Sequence, residues 1–517
     1  MFLLLLVSRI LLLGTHPNVT RCPNCDNAAL THDLNVVKLL GHPGSASECE
    51  LLCITYNNTL PGAASWDDGW QGRHHPAHIP SILSGWARCN AYTWFAEGRR
   101  CVGRMDDLWA PKSNTSAFSG RVNWPPRNCH DNADCSYNGH CAADHLCRCS
   151  TAWRGDSCQL LNLQPAMRRS GVQWHHDGKN ISTWGGSVVQ VNGTFHMWLS
   201  EMVNHCGIDS CTRNSRIVHA ISRTGGDGPY EKQEVVVGVS SHEPTVVTAP
   251  GGQLVMYFLA FHWDEPATLA CTCVNGSTLP DSCPPYDPDD EVTPRRKGGG
   301  TWMIWADGPE GPWSEPVLIF QPGQWGEPHP DGTNLAVTIL ANRSLVGLIK
   351  SIGSPQMSAI RLVTASDWQE PKTYRAQFDG ANLTADLVFP LSATRNVTEF
   401  GLEDPFLWRG EDGIFHALFH QQIEYDDERI CGGHAWSTDG ITWTYGGTAY
   451  SNRVHFQDGS SETYRRRERP HLIFGDSAQP FLPTHLVNGV QYQPGWFDGP
   501  MKWLGDGTFT LVQPIAG

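Results

Sequence analysis

The sequence predicts a mainly β protein in which a five-bladed β-propeller follows two small disulfide-rich modules. Two observations carry this prediction. Twelve of the 18 cysteines lie before residue 160, in under a third of the 517 residues. From residue 164 onward, short β-branched and aromatic runs alternate with Gly, Asp and Pro turns, and five similar hairpin patterns recur. We therefore expect cross-linked modules first and a repeated β architecture after them.

Composition and charge limit the class of partner. With 40% hydrophobic and 17% charged residues, the chain has the composition of a globular protein. The formal net charge is −15, and the basic run Arg465–Arg469 is short, which argues against nucleic acid. Within it, Arg465–Arg467 is expected in a solvated loop, with contact to an anionic polysaccharide as the alternative. A small ligand or a neutral polymer fits the overall charge.

The first 14 residues, MFLLLLVSRILLLG, form an apolar run of signal-peptide length that is too short to cross a bilayer as a stable helix. We expect this segment to be cleaved and the protein to be secreted, with an uncleaved anchor as the alternative. Many cysteines and N-x-Ser/Thr sequons are both typical of extracellular proteins. The sequons are at Asn18, Asn57, Asn114, Asn180, Asn192, Asn275, Asn342, Asn382 and Asn396.

Residues 22–124 contain the first group of cysteines. The segments SECELLC, CNAYTW, CVGR and AFSGRVNW resemble a PAN/Apple domain over residues 30–124. Such domains bind protein or carbohydrate and have no catalytic machinery, so the resemblance implies extracellular protein partners. Cys22 and Cys25 have CxxC spacing, for which a structural disulfide is favoured over a metal or redox site in a secreted chain.

Residues 125–160 contain six closely spaced cysteines and include the segment CRCSTAWRGDSC. This spacing resembles an EGF-like domain. Calcium-binding members carry acidic residues before the first cysteine, and the segment PPRNC has none, so we expect no calcium here. The resemblance implies three disulfides, Cys129–Cys141, Cys135–Cys147 and Cys149–Cys158.

The repeat occupies residues 163–517. Each unit contains a strand, a turn usually with Gly, Asn or Asp, and a second strand. A five-bladed β-propeller accounts for this pattern, because small antiparallel sheets arranged around an axis bury their faces against one another. The hairpins are at 184–199, 242–258, 333–349, 403–419 and 468–487. The segment STDGITW at Ser437–Trp443 resembles an Asp-box turn, which serves folding and not chemistry.

Charged residues recur where each hairpin begins. If the first strand of every blade lines the central channel, the residues at its mouth converge on one pocket. Because side chains alternate along a strand, we expect only one of Glu403 and Asp404 to point into the channel. The equivalent positions are Gly185, Glu243, Asn334, Asp404 and Arg469, preceded by Trp184, His242, Thr333, Glu403 and Glu468.

Repeated carboxylates at the mouth of a five-bladed propeller resemble glycoside hydrolases of families 43 and 32, and the EDP of Glu403–Pro405 is similar to the Asp-Pro motifs of that group. In such chemistry one carboxylic acid protonates the departing oxygen while a carboxylate activates water or attacks the sugar. The resemblance implies catalytic roles for Glu243, Asp404 and Glu468. It also implies substrate-binding roles for Trp184, His242, Asp331, Asn334, Glu403, Arg469 and His471.

Each of these residues also has a structural interpretation. Asp404 can form a salt bridge inside the channel, and Glu243 and Glu468 can cap turns or pair with Arg469. Both His242 and His471 can be hydrogen-bonded core residues. Ion-pair networks perturb pKa values as active sites do, so both interpretations stay open.

The first blade departs from the resembled families. Those families commonly place an acid there, whereas the segment TWGGS has Gly185 at the equivalent position. Asp177 in WHHDGKN and Asp331 in EPHPDGTN are the loop residues that can take this role. Individual acid and base assignments do not follow from the sequence.

The repeat contains six further cysteines and no familiar cofactor motif. We expect Cys206 and Cys211 to close a short loop, and disulfides to be favoured over zinc among Cys271, Cys273, Cys283 and Cys431, whose pairing is open. No P-loop, GxGxxG, GxSxG or HExxH pattern occurs in a suitable context. The acidic DPDDE segment at Asp287–Glu291 is typical of a solvated loop, and a structural calcium ion has no further support. We therefore predict no cofactor.

Two function classes remain. The first is a secreted glycosidase that hydrolyses a polysaccharide or oligosaccharide, with the N-terminal modules supplying adhesion or spacing. The second is a non-catalytic extracellular protein whose propeller binds a glycan or a protein. The acids Glu243, Asp404 and Glu468 favour the enzyme, whereas Gly185 favours the binding protein. We favour the enzyme.

Overall fold

The structure is a computed structural model. It describes residues 128–172, 181–203, 206–260, 299–321, 333–353, 357–376, 400–423, 432–476, 479–492 and 507–517, together with seven strands before residue 123. The chain divides into two compact units, Met1–Arg127 with Ser392–Val397, and Asn128–Leu391 with Thr398–Gly517. Among the described helices, none is long and apolar enough to cross a membrane.

The first unit is built from β-strands. Its five-stranded antiparallel sheet has the order Val19–Cys22, Ala117–Val122, Ala91–Phe95, Arg100–Arg104 and Val37–Gly41. A two-stranded sheet pairs Cys25–Asp26 with Lys112–Ser113. These strands fit the expected β class of the module, and its identity as a PAN/Apple domain stays a prediction. The expected signal peptide at 1–14 lies outside the described residues.

The second unit contains five antiparallel sheets, which are the blades of the predicted propeller. Blade 1 comprises Thr183–Val191, Thr194–Met202, Ser215–Ser222 and Glu231–Val237. Blade 2 comprises Ser241–Thr248, Leu254–Ala260, Gly300–Ala306 and Val317–Phe320. Blade 3 comprises Thr333–Ile339, Leu345–Gly353, Met357–Ala365 and Arg375–Ala376. Blade 4 comprises Phe400–Arg409, Phe415–Ile423, Gly432–Ser437 and Thr444–Tyr450. Blade 5 comprises Arg466–Phe474, Pro483–Gln491 and Thr508–Pro514.

Apolar side chains fill the space between each pair of neighbouring blades. Burying a large aliphatic or aromatic side chain contributes about 1.5–3 kcal/mol, so these contacts are the main cohesion of the ring. A buried cluster lies at every interface and contains residues of both blades. Examples of residues that share a cluster are Trp198 with Met256, Tyr257 with Ile349, Leu348 with Phe419, Phe406 with Leu486, and Val487 with Leu199. The last pair joins blade 5 to blade 1, so the ring is closed. This arrangement confirms the expected five-bladed propeller.

A strap formed by residues 163–172 completes blade 5. Backbone bridges join Leu163 to Ile515 and Val172 to Thr510, next to the last strand of the chain. Arg168 anchors the strap, with its guanidinium 3.2 Å from both Asp458 and Glu462. These acids belong to the hairpin formed by Arg453–His455 and Ser461–Thr463, and to its turn. The ring therefore closes through two distant parts of the chain.

The disulfide-rich segment before the strap contains the three disulfides that the EGF-like resemblance implied, Cys129–Cys141, Cys135–Cys147 and Cys149–Cys158. Its short strands pair Gly139–Cys141 with Cys147–Cys149 and Trp153–Arg154 with Leu160–Leu161. The segment has little regular secondary structure, so its disulfides supply much of its stability. The EGF-like identity itself stays a prediction.

This segment packs on blade 4. The ring of Trp153 lies 4.9 Å from that of His434, and the ring of Tyr137 lies 4.7 Å edge-on to Trp436. Trp153 and Cys158 belong to the same buried cluster as Phe406 of blade 4 and several residues of blade 5. The segment and the propeller therefore share one core.

The expected disulfide between Cys206 and Cys211 is wrong. Cys206 is disulfide-bonded, but Cys211 is not its partner. Cys206 is fully buried, and Asn214 Nδ2 donates a hydrogen bond to its sulfur at 3.3 Å. Two short helices, Ile208–Ser210 and Cys211–Asn214, form here instead of the tight loop that such a disulfide closes. A third short helix, Pro371–Thr373, precedes the last strand of blade 3.

Candidate active site

A β-bulge occurs at the same place in the first strand of every blade. The strand pairing shifts register there, and the residue at the shift has a left-handed backbone. Residues other than glycine adopt this conformation at a cost of about 1 kcal/mol or more, and bulges are common beside active sites. The five φ angles are 62° at Gly185, 56° at Glu243, 58° at Asn334, 53° at Asp404 and 52° at Arg469. These are the five positions that the sequence repeat aligned.

The bulge brings two adjacent carboxylates into one cluster. Glu403 pairs with His420 across the strands, and the register then shifts before Phe406. One carboxylate oxygen each of Glu403, Asp404 and Glu468 and one ring nitrogen of His420 all lie within 4.8 Å of one another. Our expectation that only one of Glu403 and Asp404 points inward is wrong, because the left-handed Asp404 interrupts the alternation of a regular strand.

Asp404 is the most buried of these acids, with 2% of its side chain exposed. Asn334 Nδ2 donates a hydrogen bond to Oδ1, and the backbone N–H of Arg469 donates to Oδ2 at 3.1 Å. The Arg469 guanidinium lies 3.8 Å from Oδ1. Burial raises the pKa of Asp404 well above its usual range; the charges of Glu243 and Glu403 add to this shift, and Arg469 opposes it. Among the described acids of the cluster, Asp404 is thus both the least exposed and one whose pKa is raised.

Glu403 has the opposite surroundings. Lys350 Nζ donates a hydrogen bond to Oε2, and His420 Nδ1 lies 3.2 Å from Oε1. Burial alone would raise the pKa of Glu403, but Lys350 and His420 more than offset it and hold the pKa below its usual range. Adjacent residues in one strand therefore have carboxyl groups whose pKa values are shifted in opposite directions.

Glu243 and Glu468 flank this pair. The backbone N–H of Glu243 donates to Ser200 Oγ at 2.8 Å, and Glu243 Oε1 lies 3.7 Å from His242 Nε2. Glu468 Oε1 lies 3.8 Å from Arg466 Nε. Burial raises the pKa of both Glu243 and Glu468, and the charge of Glu403 adds to the shift. Four carboxyl groups therefore meet here, three of them with raised pKa values.

Arg469 occupies the space beside the first blade. A Cβ atom added to Gly185 would lie 3.1 Å from Cβ and 3.3 Å from Cγ of Arg469. The guanidinium donates a hydrogen bond to the carbonyl of Pro244 at 3.3 Å. Blade 1 therefore has no room for a carboxylate at this position unless Arg469 moves. The two loop acids proposed to replace it, Asp177 and Asp331, lie outside the described residues.

Three residues predicted to bind substrate are packed inside the protein. Trp184 is 2% exposed and lies against Met202, so its indole presents no face to a sugar. The ring of His242 is hydrogen-bonded to Ser215 Oγ at 2.7 Å. His471 Nε2 accepts a hydrogen bond from the N–H of Val188 at 3.1 Å. Burial lowers the pKa of each histidine to about 3, so both rings are neutral and have the contacts of core residues.

Sequence reasoning missed Lys350 and His420, and it was wrong to place Arg466 in a solvated loop, because Arg466 begins the first strand of blade 5 and contacts Glu468. Lys350 and His420 lie on second strands, where they pair across the sheet with Thr333 and Glu403. The hairpin register could have indicated both residues, because it places a residue of the second strand beside each residue at the channel mouth. Arg466 precedes Glu468 by two positions, so both side chains lie on the same face of the strand.

The cluster of Glu403, Asp404, His420 and Glu468 also has a donor set that fits a metal cation. Lys350 and Arg469 already place positive charge against Glu403 and Asp404. Side-chain cations therefore compensate the carboxylates among the described residues, and the absence of a cofactor stays a prediction.

Comparisons with known proteins give similarity of shape only. No family model and no curated protein matches the chain. The α-L-arabinofuranosidase of Podospora anserina, solved with cellotriose, has 13% identity and a TM-score of 0.40 over 68% of this chain and 98% of its own. A thermostable family-43 glycoside hydrolase has 10% identity and a TM-score of 0.41 over 68% of this chain and 92% of its own. The GH43_1 enzyme of Xanthomonas citri, solved with xylose, has 13% identity and a TM-score of 0.37 over 65% of this chain and 88% of its own. At these TM-scores the likeness carries no argument about family or activity, and the propeller rests on the strand topology.

Proposed function

We propose that the propeller is a glycoside hydrolase that cleaves a polysaccharide or oligosaccharide at the channel mouth. The observation that carries this proposal is the pair Glu403 and Asp404, buried side by side with pKa shifts of opposite sign. Glycoside hydrolysis needs a protonated carboxyl group and an ionised one facing the same bond. Structural ion pairing alone requires no protonated partner.

The contacts support distinct roles within the cluster. Asp404 is the general acid, because burial raises its pKa and Asn334 and Arg469 fix its orientation. Both oxygens of Glu403 are engaged by Lys350 and His420, so Glu403 stabilises the positive charge that develops on the sugar. Glu468 is the carboxylate that attacks the sugar or activates water. One carboxylate oxygen of Asp404 and one of Glu468 lie within 4.8 Å of each other, so the two groups can act on the same bond.

Amide substitutions test this assignment. Asp404→Asn and Glu468→Gln should each lower turnover by about 100-fold or more while thermal stability stays near that of the wild type, because the groups act in the transition state. We would use arabinosides, xylosides, fructosides and galactosides at pH 5–7. Asp367→Asn is a matched control, since Asp367 is an exposed acid on blade 3 that pairs with Arg343. Turnover that survives both substitutions would refute the proposal.

A second candidate is a non-catalytic glycan-binding or protein-binding propeller. It is favoured by one observation, the packing of Arg469 where Gly185 leaves no room for a first-blade acid. This candidate predicts no hydrolysis across the panel and glycan binding that survives amide substitution of Glu243, Asp404 and Glu468. Binding measured by calorimetry on the same variants distinguishes the two functions.

The proposal includes secretion. Three disulfides within residues 129–158 support an oxidising compartment, because disulfides are rare in reducing ones. The PAN/Apple-like and EGF-like modules would then add contacts to extracellular proteins or glycans. Expression in secretory cells and detection of the processed chain in the medium test this part. Retention inside the cell would contradict it.

A further inference from the structure

We infer that the sugar bound at the channel mouth carries a carboxylate, as a uronic acid does, and that Lys350 and Arg466 bind this group. The inference rests on the proposed function, because it concerns the same site. It names the chemical class of the substrate, which the acids alone leave open.

The two cations lie at the outer edge of the cluster. Arg466 is the first residue of the first strand of blade 5, three positions before the bulge at Arg469. Lys350 pairs with Thr333, the first residue of the first strand of blade 3, which is one position before the bulge at Asn334. A ligand entering along the first strands therefore meets these two side chains before it reaches the acids.

The solvent exposure of these side chains is higher for the two cations than for the acids that they contact. The side chains of Lys350 and Arg466 are 27% and 19% exposed, whereas those of Glu403 and Glu468, which they contact, are each 9% exposed. Asp404, behind them, is 2% exposed. Lys350 and Arg466 are therefore nearer to solvent than the acids they contact, which is the arrangement that attracts an anionic group to the mouth.

Arg466 is the better residue to test, because Lys350 also holds Glu403. The Arg466 guanidinium, whose Nε lies 3.8 Å from Glu468 Oε1, would donate to a ligand carboxylate bound at the mouth. A hydrogen bond between charged groups corresponds to about a 10- to 100-fold change in affinity. The measured quantity is the ratio of kcat/KM for a uronide to kcat/KM for the matching neutral glycoside, which cancels general damage to the site.

The experiment compares aryl glucuronides and galacturonides with aryl glucosides and galactosides, and calorimetric binding of oligogalacturonates with binding of their carboxyl-reduced forms. The wild type should favour the uronides at least tenfold, Arg466→Gln should remove most of this preference, and Arg466→Lys should retain part of it. Arg343→Gln is the control, since Arg343 is an exposed cation in the turn between the first two strands of blade 3 and pairs with Asp367. It should leave the preference unchanged.

Every outcome decides one of the two proposals. Preferential hydrolysis of neutral glycosides, or a uronide preference that Arg466→Gln leaves intact, would overturn the inference and keep the glycosidase proposal. Binding of oligogalacturonates that depends on Arg466 without hydrolysis would keep the inference and overturn the glycosidase proposal. If neither binding nor hydrolysis of any uronide is measurable, the inference fails.

Discussion

Removing the indole of Trp153 tests whether the disulfide-rich segment and the propeller form one cooperative unit. Trp153 is 5% exposed, and its ring lies 4.9 Å from that of His434 in blade 4. It shares a buried cluster with Phe406 and Leu472 of blades 4 and 5. Replacing a buried tryptophan with alanine costs about 3–5 kcal/mol, because apolar contact is lost and a cavity remains. A domain is stable by only about 5–15 kcal/mol, so Trp153→Ala should reduce the stability of the whole unit severely.

The assay is urea denaturation followed by both tryptophan fluorescence and far-ultraviolet circular dichroism. For Trp153→Ala, the transition of the unit that contains both parts, Asn128–Leu391 with Thr398–Gly517, should shift to a lower urea midpoint with an unchanged slope in both signals. Arg148→Ala is the control within the same segment, because Arg148 is 53% exposed and its pair with Asp144 is worth at most about 1 kcal/mol. Separate transitions for the disulfide-rich segment and the propeller, or a loss under about 1 kcal/mol, would refute the shared core.

Two further predictions concern the backbone of blade 1 and the buried histidines of blade 4. Gly185→Ala should destabilise the protein by about 1–3 kcal/mol, because φ is +62° and the new Cβ would lie 3.1 Å from Arg469 Cβ. Gly193→Ala, at φ +82° with no atom within 4 Å of its Cβ, should cost only the conformational part, and equal losses of thermal stability would contradict the clash. Burial lowers the pKa of His416 to about 3 and that of His434 well below its ordinary value, with Nδ1 of His416 3.1 Å from Nε2 of His434. Because the folded pKa lies below the unfolded value of about 6.5, stability is fully present above that pH and decreases as the pH falls toward 3, by about 1.4 kcal/mol per histidine one unit below 6.5. The free energy of unfolding of His416→Gln should therefore fall less between pH 7.5 and 5.5 than that of the wild type, and equal slopes would contradict the assignment.

The repeat could be predicted from the sequence because its pattern is local. Each hairpin carries its own strands and turn, and the five aligned positions prove to share one backbone bulge. The Asp-box turn at Ser437–Trp443 was predictable for the same reason. Asp439 Oδ1 accepts hydrogen bonds from the N–H groups of Ile441 and Thr442 at 2.8 and 2.7 Å, all within one short segment.

The partners of the acids could not be predicted, because they depend on register and on packing between blades. Lys350 reaches Glu403 from another blade, and Arg469 reaches Pro244 from across the channel mouth. The alternation rule also failed at Glu403 and Asp404, since it assumes a regular strand and the bulge is not regular. The indole of Trp184 is a type of side chain that can stack on sugars. Its burial depends on packing against residues that are not adjacent to it in the sequence.

The strap at residues 163–172 has a consequence for how the chain matures during synthesis. Gln513 Nε2 donates a hydrogen bond to the carbonyl of Gln164 at 2.8 Å, and Thr510 N–H donates to Thr183 Oγ1 at 3.0 Å. These contacts can form only after the strand Thr508–Pro514 has left the ribosome. Until then Leu199 of blade 1 lacks Val487 and Val512, its apolar neighbours in the finished ring. The nascent chain must therefore carry an open apolar edge from the synthesis of blade 1 until that of Thr508–Pro514, which is an interval in which chaperones are needed.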